Sequence, residues 1–412
     1  MSQNSLQSRA PTVFLSFTGL LEPLGRSQVL AYLEGISEHF AVTVISLEKT
    51  ADLADERELY LLGERCKKSG ITWEYRKFRH NPPVLATAVN MLVLLSATVK
   101  IVKARKPSVI HARSLLPAIV GMAIAKTRRI PLVFDMRGLW PEEQISTGRI
   151  QRHSLLHRIL VAAENFCLRE SESVVSLTEA ALIHQDSSLV RNGTAGKTVV
   201  IPTCVDLDKF TMREEKTIGP LVHGCVGSLL SGWYQVDWLR TWIETVSAED
   251  ENALFEIVTR DNVKTVLQKL NLPDHLLHRV SIFSKKSDEM PETIRHHDLS
   301  LLFYSSGELS KIASSPTRMA EVLATGIPVV STSGVGDVDS IILDHQVGVV
   351  LEGGNPNQMR IAIEKLNLLL SDPLLPQRCR DTAEALFSLK RGVAKYVDIY
   401  NGLAIGREGF NH

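Results

Sequence analysis

The feature that most constrains this chain is a rhythm: short, nearly uninterrupted apolar runs rich in β-branched residues alternate with longer helical stretches along its length. A first series reads TVFLSF (12–17), VTVISL (42–47), VIHA (109–112), PLVFDM (131–136), SVVSLT (173–178) and TVVIP (198–202). A second occupies 222–229, 254–259, 279–284, 299–304, 328–333 and 347–352. Strands that are apolar on both faces belong to parallel sheets covered by helices on either side. Between the two series lies a polar segment, 204–220, closed by Gly219-Pro220, which reads as a linker. The expected fold class is therefore α/β: two successive doubly wound, Rossmann-like domains, one over 1–203 and one over 204–385. A helical segment over 386–412 follows, with a return to the first domain as one option. Ligands of such sheets bind beyond the carboxyl ends of the strands, so two facing domains would share one cleft.

Composition narrows the partners. Lys plus Arg equals Asp plus Glu at 46 each, which argues against nucleic acid as the ligand of the whole chain. The five cysteines (Cys66, Cys167, Cys204, Cys225, Cys379) stand far apart without a C-x-x-C pair, so neither zinc nor a disulfide framework is expected. That pattern, with a polar opening MSQNSLQSRAP unlike a secretory signal, points to the cytoplasm. Residues 82–99 run without charge for a length that just reaches a membrane span. Thr87, Asn90, Ser96 and Thr98 interrupt that run and two prolines open it. A buried or interfacial helix is expected there, with peripheral membrane contact through 82–103 on the cytoplasmic face as the alternative.

The segment SSPTRMAEVLATGIPVVSTSGVGD (314–337) carries the most chemistry. Ser314, Ser315 and Pro316 form a polar loop, and 317–324 reads as a helix with Pro316 suited to its entrance. Free N–H groups at a helix start attract anions, and Arg318 in the first turn opposes the helix dipole unless an anion meets it. Glu321 follows on the same face, within reach of a ligand hydroxyl. The loop SGVGD, with Gly334, lets backbone approach a ligand closely. A capped helix with a surface Arg–Glu pair satisfies the same residues. At the N-terminus, SFTGLLEPLGRSQ joins the first strand to the first helix through Gly25, where doubly wound domains bring backbone near a bound anion.

The order of these elements resembles the family 4-like glycosyltransferases with the GT-B fold. The resemblance implies that Ser315, Thr317 and Arg318 contact the diphosphate of a nucleotide-sugar donor and that Glu321 holds its ribose. Gly25 and Gly227 would lie against the donor, and Arg260 or Arg26 would supply further charge. VIHARSLLPAIVG and FDMRGLWPEE look like the family's strand-end segments facing acceptor and reacting sugar. Arg318, Asp135, Arg137 and His111 are the catalytic candidates there, and Arg113, Trp140 and Glu142 the acceptor-side ones. IPTCVDLDKF resembles the hinge motif, with Thr203 and Cys204 replacing Asn-Gly. Three departures stand out: Ala313 where the family has a second Glu, and Ser228 and Trp233 where many relatives carry Arg and Lys. Glu308 and Lys311 are close but out of register.

The resemblance implies a transferase that retains anomeric configuration by front-side attack, with no cofactor beyond the donor and no metal. The acceptor would be a glycan or a lipid-linked glycan in polysaccharide or glycoconjugate synthesis. A nucleotide-sugar epimerase or hydrolase, and a catalytically impaired protein that binds a nucleotide or a partner, are the alternatives. Asp206-Leu207-Asp208 spells a metal-binding pattern but sits in the linker and reads as a turn. His296-His297 lacks a third ligand, and Asn192-Gly193-Thr194 reads as an unused sequon.

Overall fold

The chain is described by a computed structural model covering residues 9–213, 219–305 and 308–408. The polar opening before residue 9, part of the expected linker (214–218) and the last residues of the C-terminal segment lie outside the described residues. Two compact units emerge: Met1–Ile201 with Leu389–His412, and Pro202–Ser388.

The first unit holds a seven-stranded, all-parallel sheet of order β3-β2-β1-β4-β5-β6-β7. Its strands are β1 (Pro11–Ser16), β2 (Ala41–Glu48), β3 (Thr72–Lys77), β4 (Val109–Arg113), β5 (Leu132–Asp135), β6 (Ser173–Ser176) and β7 (Thr198–Val200). The second holds six parallel strands in the order β10-β9-β8-β11-β12-β13. These are β8 (Val222–Val226), β9 (Leu254–Val258), β10 (Val280–Phe283), β11 (Leu299–Leu302), β12 (Val329–Thr332) and β13 (Gly348–Leu351). In both sheets the order reverses beside the first strand, between β1 and β4 and between β8 and β11, which opens a crevice at the carboxyl ends.

The sequence reading found every strand except β3. Its residues, TWEYRK, carry charge and are mostly half-exposed, because β3 is an edge strand that needs only one covered face.

Helices cover both sheets. In the first unit the principal ones are α1 (Ala31–Ser37), α2 (Glu56–Lys68), α3 (Pro83–Arg105), α4 (Leu115–Arg128), α5 (Trp140–Ser146) and α6 (Leu155–Glu170). In the second, α7 (Val236–Glu249), α8 (Thr317–Ala324) and α9 (Leu375–Leu386) matter most here. On α7, Trp242 is fully buried and meets Phe303 edge-on with centroids 5.9 Å apart.

The final helix, α10 (Leu389–Glu408), belongs to the first unit. Tyr396 stacks edge-on against Tyr32 of α1 at 5.6 Å and Tyr400 against Phe40 at 5.2 Å. The two tyrosines are four residues apart and therefore share one helical face.

The expected boundary shifts slightly, to 201/202 and 388/389, and much of the expected linker is docked. Thr203 is tied to Ser315 by three contacts: its N–H donates to Ser315 Oγ at 3.2 Å, its hydroxyl to the Ser315 carbonyl at 2.9 Å, and the two hydroxyls lie 3.0 Å apart. Phe210 is buried in the second core, and Arg380 of α9 donates to the Phe210 carbonyl at 2.7 Å. Asp206 and Asp208 form the expected turn, with Asp208 N–H on Asp206 Oδ1 at 3.0 Å.

Candidate active site

In the second unit three loops leave the carboxyl ends of the adjacent strands β8, β11 and β12. After Val226 the chain turns at Gly227, whose φ of 151° suits glycine, and the Gly227 N–H donates to the Val258 carbonyl at 3.1 Å. Ser228 Oγ donates to Asp261 Oδ1 at 2.8 Å and the Leu230 N–H to Oδ2 at 3.0 Å. Burial opposes ionisation of Asp261, but these donors and the Thr259 hydroxyl hold its carboxyl below the usual range. An anion thus occupies the loop carrying Ser228, while neighbouring Arg260 is exposed.

The same loop ends at Trp233, and Lys311 from the loop after β11 places its ammonium 3.1 Å from that ring's centroid. Lys311 is buried, and its carbonyl accepts from Ser314 N–H at 3.1 Å and Gly336 N–H at 3.0 Å. A positive charge therefore does reach position 233, carried by a different residue. Sequence reading noted Lys311 only as out of register, because nothing in linear spacing shows which strand end a loop lysine crosses to.

Helix α8 follows. Pro316 at its N-cap offers no side-chain acceptor, so no residue at that position caps the first amides, beginning with Thr317. The helix buries Met319, Ala320, Val322, Leu323 and Ala324, leaving Arg318 and Glu321 together on the other face as a close ion pair. Burial raises the Glu321 carboxyl above its ordinary value, with Arg318 and Lys209 pulling the other way. Ser315 is committed to Thr203, as described. The Gly334 N–H, at a φ of 81°, donates to Asp339 Oδ2 at 3.0 Å.

In the first unit, register pairs Arg113 with Asp135 across β4 and β5. Asp135 lies 3.4 Å from His111 Nε2, 3.5 Å from an Arg137 Nη1 and 3.7 Å from Arg113 Nη1. His111 Nδ1 shares a 2.7 Å hydrogen bond with the Tyr400 hydroxyl. His111 and Asp135 are each only 1% exposed, enclosed by their own sheet and by α10, so neither presents a surface to a substrate. Arg137 retains one-tenth of its side-chain exposure.

Burial works against the Asp135 charge, yet Arg137, then His111 and Arg113, hold its carboxyl well below the usual range. Burial pushes the His111 imidazole down, keeping it neutral, and brings Arg113 to about 10 with help from Arg137. Trp140 opens α5, and Glu142 on that helix pairs with Arg152 at 2.6 Å instead of joining the cluster.

The loop after β1 is held by a residue the sequence reading did not single out. Buried Glu48 accepts from the N–H groups of Leu20 at 2.8 Å and Leu21 at 3.1 Å and from Ser46 Oγ at 2.6 Å. The available signal was a carboxylate ending an otherwise apolar strand. Gly25 packs against this loop so closely that a Cβ there would lie 1.9 Å from the Gly19 carbonyl oxygen. His296 and His297 both face Glu256, at 3.2 and 3.4 Å. Asn192 spends its amide on Asn165 and Ser188.

Two doubly wound sheets, each with loops gathered at its switch point, give the chain a GT-B type architecture. Residues 28–209 match the Glycosyltransferase Family 4 model and residues 220–368 that of Glycosyl transferases group 1; the two glycosyltransferase models together span most of the chain, which is a glycosyltransferase of GT-B type. A search of curated protein sequences finds no match.

Among solved structures the chain is similar to sucrose-phosphate synthase from Thermosynechococcus elongatus, with a TM-score of 0.69 at 14% identity over 97% of this chain and 100% of that one. It is also similar to Anabaena HepE in complex with UDP-glucose, with a TM-score of 0.66 at 16% identity over 94% and 99%. A third is WaaG, a glycosyltransferase involved in lipopolysaccharide biosynthesis, with a TM-score of 0.63 at 16% identity over 95% and 100%. At these identities the likeness establishes the fold.

Proposed function

We propose that this transferase moves a sugar from a nucleotide diphosphate donor, bound by the 202–388 unit, to a glycan or lipid-linked acceptor served by the first unit. The observation that carries the reading is the meeting of Arg318, Glu321 and the start of α8, uncapped by Pro316, at the strand ends where Lys311 lies over Trp233. Arg318, Lys311 and the amides at Thr317 neutralise the diphosphate as the leaving group gains charge, and no metal ion is part of the scheme. Glu321 exchanges its bond to Arg318 for the ribose hydroxyls.

Transfer proceeds by front-side attack with retention, and Arg137, the partly exposed member of its cluster, faces the reacting sugar. We assign His111 and Asp135 to positioning Arg137 and Arg113 rather than to contact with substrate. Trp140 and Glu142 lie on the acceptor side. The UDP-glucose complex of HepE supports a nucleotide-sugar donor, and five buried thiols suit a cytoplasmic setting. Membrane contact belongs to the same reading.

The test is a thermal-shift screen against UDP, GDP, ADP, CMP and their sugar conjugates, followed by a donor-consumption assay. Saturating ligand at a hundred times its dissociation constant stabilises by about 2.7 kcal/mol. One nucleotide diphosphate standing out supports the donor site; no shift with any of them defeats it. The carboxylate of Asp261 on Ser228 favours a second reading, a nucleotide-binding protein without turnover. Binding without donor consumption, in the presence of acceptor-containing membranes, would select it.

A further inference from the structure

We propose that the face formed by α3, α4 and α6 docks on an anionic phospholipid surface, with Leu85, Leu92, Leu155 and Ile159 entering its interfacial layer. This deepens the lipid-linked-acceptor reading, on which the need for docking rests, although docking itself is measured without turnover.

Charge is the first observation. The chain as a whole is balanced, yet between Glu74 and Asp135 it carries eleven Lys and Arg and no Asp or Glu. Between Glu143 and Glu164 it carries three Arg and again no acid. These two stretches build α3, α4 and the first half of α6, up to Ala163. Helix α4 packs against α3 on one side and α6 on the other, so the acid-free segments are neighbours in one layer.

The second observation is what that layer exposes. On α3, Val84, Leu85 and Leu92 are 70%, 61% and 64% exposed; on α6, Leu155 and Ile159 are 76% and 54% exposed. Residues 85, 88 and 92, and 155 and 159, recur at helical spacing, so each helix offers one stripe. The opposite side of α3, including Leu94, Ala97 and Ile101, is buried against the sheet and α4, which makes this helix lie along the domain instead of crossing a bilayer.

The polar residues that interrupt the run spend their side-chain donors within the protein. Thr87, Ser96 and Thr98 donate to carbonyls of their own helix at 2.8, 3.0 and 2.7 Å. Asn90 bonds both the N–H and the carbonyl of Arg79, at 3.0 and 2.9 Å, fixing that residue at the entrance of α3. None of the ion pairs among the described residues involves Arg79, Arg149 or Arg158, all three exposed, and Arg158 stands next to Ile159 on α6.

Apolar stripes edged by unneutralised arginine match an anionic membrane interface, where each basic residue and each buried methylene adds affinity. Crossover helices start where strands end, so the exposed starts of α3 and α6 lie on the side of the sheet where β4 and β5 deliver Arg113 and Asp135. A docked enzyme would meet a lipid-linked acceptor at that edge.

Flotation of the full chain with vesicles of phosphatidylcholine alone, or mixed with phosphatidylglycerol, tests this. The chain is expected to float with the anionic vesicles at least about tenfold better than with neutral ones, and less in raised salt. The double substitution Leu92→Glu/Ile159→Glu, at exposed positions and with far-UV circular dichroism unchanged, is expected to lower flotation at least about tenfold. Arg79→Glu/Arg158→Glu leaves the apolar stripes intact and tests charge alone, with flotation again reduced.

Equal flotation with both vesicle types, none with either, or wild-type flotation of the Glu variants overturns the proposal. So does self-association in vesicle-free buffer that Leu92→Glu/Ile159→Glu abolishes, which would make this face a protein interface. A chain that binds nucleotide but ignores vesicles defeats only this inference. One that floats yet binds no nucleotide defeats only the functional reading.

Discussion

The two sheets carry related charged side chains at their carboxyl ends in opposite surroundings. After β4 and β5, Asp135 sits among His111, Arg113 and Arg137 with almost no exposure, beneath tyrosines of α10. After β11, Arg318 and Glu321 form one ion pair with side chains 23% and 13% exposed, on a helix whose other face is core. The difference teaches that a charged residue at a strand end is not by itself a ligand site. Where a later element covers it, the charge organises the fold; where the helix start stays open, the charge is available to a ligand.

The largest effect that could break this comparison is on stability. Asp135→Ala leaves buried guanidinium groups without their carboxylate, and such losses run to about 3–5 kcal/mol. Urea unfolding of the first unit should show it. Glu321→Ala removes a carboxylate whose charge burial disfavours and leaves Arg318, at 23% exposure, within reach of water, so the loss should be smaller, about 1 kcal/mol. If the two variants lose equal stability, the contrast fails.

Acid titration gives the same contrast a sign. Asp135 has a depressed carboxyl in the folded state, so its stabilising contribution is present above about pH 4, the unfolded value, and is lost as pH falls below it. Glu321 is shifted upward, so its contribution is full below about pH 4, the unfolded value, and is lost as pH rises from there through its folded value.

Next in size is activity. Arg318→Ala should lower kcat/KM at least tenfold, about 1.4 kcal/mol or more of transition-state stabilisation, with the unfolding midpoint of the second unit nearly unchanged. Wild-type turnover would remove Arg318 from the mechanism. A large stability loss would instead mark it as structural, like the cluster in the first unit.

How much of this could be read from the chain follows from the same physics. The apolar strands announced themselves because buried parallel strands leave no room for polar residues, and β3 escaped because an edge strand does. The Arg318–Glu321 pair was legible because it lies within one turn of one helix. The enclosure of His111 was not, since it depends on Tyr396 and Tyr400 returning from almost three hundred residues later, a contact that spacing along the chain does not encode. Lys311 over Trp233 was hidden for a related reason: the two residues meet only because β8 and β11 are neighbours in the sheet.

Lys311 also yields a smaller prediction. Lys311→Met keeps an unbranched stem on the Trp233 ring but removes the charge, and a cation over an aromatic face contributes about 0.5–2 kcal/mol. Nucleotide diphosphate affinity should fall roughly three- to tenfold by calorimetry, with nucleoside affinity unchanged. An equal loss for both ligands would make the lysine a packing residue.

The smallest expected effect tests what keeps the first cluster neutral at one end. Tyr400→Phe deletes the hydroxyl on His111 Nδ1 and should lower the stability of the first unit by about 1 kcal/mol at neutral pH, without changing nucleotide binding by the second. Its pH dependence is more informative. Folding holds His111 below its ordinary value, so its contribution is present above about pH 6.5 and is lost as pH falls, because the unfolded chain takes up the proton first. Burial is the main cause of that depression, so Tyr400→Phe should shift the stability curve down while leaving its slope below about pH 6.5 intact. A flattened slope would mean that the tyrosine, and not the enclosure by sheet and helix, keeps the imidazole uncharged, and the contrast between a sealed and an open strand end would then rest on one hydrogen bond.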